Sequence, residues 1–189
     1  MYRDQSNSEC RTLITALLII LLLIPSMLFA GGREEWRVSA GLELFPSLLA
    51  ADMDIAGKQG EDGKLLLLLT YVNKEKKAKE MADFLENIGK IRRIPIRVEI
   101  ATSLEGYEKT RLAGIFLTQK IGSGLDAVLH YGKKQRVIIF SPFEGDVEYG
   151  ASGGIVVSDR ILPYINKKTL RLSGIRIKPI FLRIAEEYE

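Results

Sequence analysis

KLLLLLTYV (Lys64–Val72) is the stretch on which the reading of the fold turns. It follows a polar, glycine-rich turn, Gly57–Gly63, and its core, Leu65–Leu69, holds no polar residue. A short, uniformly apolar run bounded by turns is the pattern of a strand buried on both faces, as in a parallel sheet. Directly after it, Ala78, Met81, Ala82, Leu85 and Ile88 recur at helical spacing, with Gly89 as the stop. The lysines at 74, 76, 77 and 79 read as the solvated face of that helix. Ile94–Ile100 then alternates Ile96, Val98 and Ile100 against Arg97 and Glu99, which predicts a second strand.

The same alternation continues downstream. Ala113–Leu117 reads as a strand and Leu125–Tyr131 as a short helix ending at Gly132. Val137–Phe140 and Ile155–Val157 read as further strands. Repeated β-α-β order implies a single three-layer α/β domain, its central sheet mostly parallel and flanked by helices. Near the end, apolar and basic residues alternate over Ile175–Lys178. Pro179 then opens an expected last helix, whose Ile180, Phe181, Ile184, Ala185 and Tyr188 form one stripe that should dock on the core. Upstream, Trp36–Ala51 is apolar enough for a helix, but Pro46 should break or start one.

Residues 1–30 have a different character. Arg3 and Arg11 precede the apolar run Leu13–Ile24, then Pro25, Ser26 and the small residues Ala30, Gly31 and Gly32. This is the pattern of an export signal, with cleavage expected after Ala30 or Gly32. An uncleaved anchor over 13–30 is the alternative, and either reading places residues 31–189 outside the cytoplasm, in the periplasm. Cys10 is the only cysteine and precedes the run, so an exported domain has no thiol and forms no disulfide. The chain carries 27 Lys and Arg against 24 Asp and Glu, for a net charge of +3. The two signs are interspersed, with no basic stripe spaced by aromatics, so nucleic acid is not an expected partner.

The sequence contains no catalytic constellation. Its one histidine, His130, falls at a predicted helix end, and His/Cys metal sites are excluded by count. No cofactor motif appears, and an enzyme is not expected. Two loops are candidates for binding. Gly122-Ser123-Gly124 precedes a helix start, where backbone N–H groups hold anions in other proteins; a plain tight turn is the other reading. Ser141–Gly154 leaves the carboxyl end of a predicted strand and is dense in glycine, acids and aromatics. In it, Ser141, Phe143, Glu144, Asp146, Gly153 and Gly154 are candidate contacts for a ligand or partner, and a structural connection is the alternative.

Residues 136–189 resemble the C-terminal half of the YfiR/HmsC family at Gly153-Gly154-Ile155, Ile165-Asn166 and Ser173-Gly174-Ile175. The family's Trp-Pro pair and its bridging cysteines are missing. The resemblance implies a periplasmic, non-enzymatic regulator that restrains an inner-membrane signalling protein, a diguanylate cyclase or a histidine kinase, and it adds Asn166 to the candidate contacts. The alternative is a small periplasmic solute- or ligand-binding protein. A small ligand and a second copy of the chain complete the set of expected partners.

Overall fold

A computed structural model describes residues 32–189. Contacts divide the chain into two units, Met1–Trp36 and Arg37–Glu189. The expected signal segment lies outside the described residues, and the sheet with its helices belongs to the second unit. Among the described residues no helix is long and apolar enough to cross a membrane.

Residues 32–51 are helical and form α1, whose residues from Arg37 onward belong to the second unit. The helix runs through Pro46 without a break, against the expectation that the proline interrupts it. Val38, Leu42, Phe45, Leu48 and Leu49 are all buried along one stripe of this helix. At roughly 1.5–3 kcal/mol per buried side chain, that face outweighs the ~3 kcal/mol that an interior proline costs. Phe45 anchors the stripe, its ring 5.5 Å from that of Phe116 and 5.7 Å from that of Phe140.

The sheet is built from β1 (Leu65–Thr70), β2 (Lys90–Ile91), β3 (Ile94–Ala101), β4 (Gly114–Leu117), β5 (Ile138–Ser141), β6 (Gly153–Val157), β7 (Ile161–Asn166) and β8 (Glu186–Tyr188). Their order across it is β2-β3-β1-β4-β5-β6-β7-β8. Pairing is parallel from β3 through β1, β4 and β5 to β6, and again between β7 and β8. Every residue of β1 is buried, as its leucine run predicts. The helices α2 (Glu75–Ile88) and α3 (Leu125–Gln135) connect β1 to β3 and β4 to β5. These crossovers leave in opposite directions across the sheet, so right-handed connections put the two helices on opposite faces. The expected α/β architecture, a mostly parallel sheet flanked by helices, is the one observed.

Two further expectations are corrected. The helix after Leu125 passes Gly132 and ends at Gln135, with Arg136 in the left-handed region as its cap. Gly132 serves packing, since a Cβ there would lie 2.5 Å from Ile139 Cγ1. The expected last helix is a single turn, Pro179–Leu182, after which the chain becomes β8 and pairs with β7. Phe181 is buried and Ala185 packs against the core, but Ile180 and Ile184 are 62% and 58% exposed, so the expected stripe docks only in part. The alternating Ile175–Lys178 segment lies outside the strands of the sheet, and Ile177 makes an isolated antiparallel bridge with Asp52 at the end of α1.

Candidate functional site

The order β3-β1-β4 means that the strand connections reverse direction at β1. The loops leaving β1 and β4 diverge to opposite faces there, which opens a crevice at their carboxyl ends. In a parallel sheet, register partners share a face and alternate residues of a strand point the same way. Leu68 pairs with Ile115, Ile115 pairs with Ile139, and Ile139 packs under Gly132 of α3. Thr70, two residues beyond Leu68, therefore also points to the α3 face, at the very end of β1.

A cavity of about 340 Å³ lies at this point. Thr70 lines it from the end of β1, Val72 from the loop that follows, Leu104 from the segment after β3, Ile121 from the approach to α3, and Ala127 and Val128 from its first turn. Leu104 is held there from below. The Tyr131 hydroxyl of α3 donates to the Tyr107 carbonyl at 2.9 Å, which ties the segment after β3 to the helix. The Tyr107 phenol in turn donates to Glu99 Oε2 at 2.8 Å. Burial, reinforced by that carboxylate, pushes the Tyr107 hydroxyl up to about 12.

The polar chemistry of the crevice is sparse. The Thr118 hydroxyl and backbone N–H both donate to the Thr70 carbonyl, at 2.8 and 3.0 Å. The Thr70 hydroxyl has no partner, although the residue is only 3% exposed. Two other buried side-chain atoms among the described residues lack a hydrogen bond, Asp52 Oδ2 and Lys58 Nζ, and these form an ion pair with each other at 2.7 Å. Beside the crevice, the N–H groups of Val72, Asn73 and Lys74 converge on Gln119 Oε1 at 3.0, 3.1 and 3.0 Å. Gln119 also donates to Asn73 Oδ1 at 2.9 Å, so one carboxamide clamps the loop that leads into α2.

The expected binding residues fall in two places. Gly122–Gly124 forms a 3-10 turn that leads into α3, and Gly124 lines the crevice. Ser123 is exposed. The Ser141–Gly154 loop is turned inward. The Ser141 hydroxyl donates to Asp146 Oδ2 at 2.5 Å and accepts the Phe143 N–H at 3.3 Å. The Phe143 ring is 3% exposed, whereas Glu144 is exposed. Asn166 donates to the Val147 carbonyl at 2.6 Å and accepts the Thr169 N–H at 2.7 Å, capping the helix Lys167–Ser173. Gly153 and Gly154 are packing positions, because a Cβ would collide with Leu48 Cδ2 at the first and with the Ser141 carbonyl oxygen at the second.

A larger cavity, about 460 Å³, opens at the amino ends of the strands, among Asp52, Asp54, Lys58, Arg111 and Arg136. Its charges largely answer one another. Lys58 holds Asp52, and Arg176 grips Asp54 through two hydrogen bonds, which keep that carboxyl below its ordinary value. His130 is exposed on α3. No group of three or more His, Cys, Asp or Glu among the described residues could hold a metal. Sequence reasoning missed Thr70, Leu104, Gln119 and Val128. Its one available signal was a threonine closing an all-leucine strand at the carboxyl end.

No protein-family model matches the chain. No curated protein matches it either. Solved structures do. A substrate binding protein with adhesive properties from Clostridium difficile, in its ligand-free, open structure, is similar at a TM-score of 0.53 and 12% identity. The match covers 79% of this chain and 58% of that one. The ABC domain in complex with L-Trp from Streptococcus pneumonia is similar at a TM-score of 0.48 and 14% identity, over 74% of this chain and 60% of that one. The chain thus spans less than two thirds of either. At these identities the likeness is one of fold.

Proposed function

We propose that the chain is a small-molecule-binding domain of an exported protein, and that its ligand sits in the crevice at the carboxyl ends of β1, β3 and β4. The observation that carries this reading is the largely apolar cavity at the reversal point of the sheet, lined among others by Thr70, whose buried hydroxyl has no partner within the chain. Native proteins pair nearly all buried polar groups, so an unpaired one calls for an explanation, and a ligand in the adjoining cavity supplies one. A binding role is also the one ascribed to the Clostridium difficile protein of similar fold. Export rests on the apolar run over 13–30. Docking on a membrane cyclase or kinase rests on the YfiR/HmsC resemblance alone.

The test is a thermal-shift screen of a metabolite library on the wild-type domain and on Ala127→Trp. Ala127 is exposed and lines the mouth of the crevice, so the indole blocks the cavity without entering the core. Compounds that raise the melting temperature of the wild type should leave the variant unmoved. Compounds that raise both equally would place binding elsewhere and contradict the reading.

A further inference from the structure

We infer that the ligand of this crevice is a small, uncharged, largely apolar molecule carrying one hydrogen-bonding group, which meets the Thr70 hydroxyl. The inference rests on the crevice being the binding site and specifies what that site selects.

Three observations converge on it. First, the walls are largely apolar, formed by Val72, Leu104, Ile121, Ala127 and Val128 with the half-buried Tyr71 beside them, and no Lys, Arg, Asp or Glu lines them. A charged group placed there would lose its hydration with no opposite charge to compensate. Second, the positions that ordinarily hold an anion at this end of an α/β sheet are already filled by the chain. The convergent N–H groups of Val72, Asn73 and Lys74, the kind of backbone concavity that binds phosphate or carboxylate, are occupied by Gln119 Oε1. The first turn of α3 carries its own carboxylate, Asp126, which accepts from the Tyr149 hydroxyl at 2.8 Å. An incoming anion at that helix start meets a like charge. Third, the buried polar demand of the crevice is a single hydroxyl. Thr70 Oγ1 can donate to a carbonyl or accept from a hydroxyl, and one such group on the ligand satisfies it. Thr102 and Ser103 also line the crevice but are exposed, and the Ser103 hydroxyl accepts the Glu105 N–H at 3.4 Å.

A matched naphthalene series separates the class from the site. 2-Naphthol is uncharged at neutral pH with one hydroxyl, naphthalene lacks the hydroxyl, and 2-naphthoate carries a negative charge on the same frame. Binding is read by fluorescence titration of the wild type, Thr70→Val and the blocked Ala127→Trp. 2-Naphthol should bind the wild type at least about tenfold more tightly than 2-naphthoate, and several-fold more tightly than naphthalene. Thr70→Val should erase the preference for naphthol over naphthalene while raising the melting temperature of the free protein, because the substitution removes an unpaired buried hydroxyl. Ala127→Trp should abolish binding of all three. If 2-naphthoate binds as tightly as 2-naphthol and Ala127→Trp still abolishes binding, the crevice stands and the uncharged class is overturned. If naphthol binds Ala127→Trp normally, or none of the probes binds the wild type, both the class and the crevice fall.

Discussion

Thr70 shows how much of this site is decided by one atom. Its carbonyl accepts two hydrogen bonds from Thr118, while its hydroxyl accepts and donates none. Leaving a buried hydroxyl unpaired costs about 1–3 kcal/mol, a cost that a bound ligand removes. Phe143 makes the contrasting case. As an aromatic in an acidic loop it invites a reading as a partner's anchor, yet its ring is 3% exposed. Phe143→Ala should therefore destabilise the domain by about 3–5 kcal/mol, whereas Glu144→Lys, on the solvent side of the same loop, should shift stability by less than about 0.5 kcal/mol. Chemical denaturation of the two variants checks this. A folded, near-neutral Phe143→Ala would mean that the ring is not part of the core. Neither distinction is legible in the sequence, since a residue type does not reveal which of its neighbours arrive from distant strands.

At the scale of elements, what could be read and what could not divide along the source of the stabilising contacts. The Leu65–Leu69 run, the periodic Ala78–Ile88 helix and the strands at 113–117 and 137–140 carry their own pattern, because each is covered on both faces or along one stripe. The antiparallel β7 and the terminal β8 do not. β8 is stabilised by backbone pairing with β7 and by Lys167, which holds Glu187 and Glu189, contacts that no local window contains. The same holds for α1, where burial of one face overrides Pro46. The segment between β3 and β4 gives this scale a pH test. The Tyr107 hydroxyl is raised to about 12, first by burial and then by Glu99, above its ordinary value of 10. A phenol that keeps its proton longer in the folded state stabilises that state fully below about pH 10. The contribution is lost as the pH rises from about 10 towards 12. Stability should fall over that window, and Tyr107→Phe should flatten the fall. An unchanged alkaline slope in that variant would remove Tyr107 from the account.

For the whole molecule, the topology rather than any motif positions the site. Reversal of strand order at β1 places the loops after β1, β3 and β4 around one crevice, and the start of α3 closes it. The glycine turn at 122–124 is readable as a candidate because it precedes a helix; that Gly124 lines the same cavity as Thr70 is a consequence of strand order. The larger amino-end cavity and the Ser141–Gly154 loop are competing locations; in the first, Asp52 and Asp54 are paired with Lys58 and Arg176, and in the second, Ser141 and Asn166 bond within the chain. The most direct measurement is a titration of the isotope-labelled domain, residues 31–189, with 2-naphthol, followed by amide chemical-shift changes in ¹H–¹⁵N spectra. The shifts should cluster at Thr70–Val72, Thr102–Leu104 and Ile121–Val128. Shifts centred on Asp52, Arg111 and Arg136, or on the Ser141–Gly154 loop, with the Thr70 amide unmoved, would contradict the account.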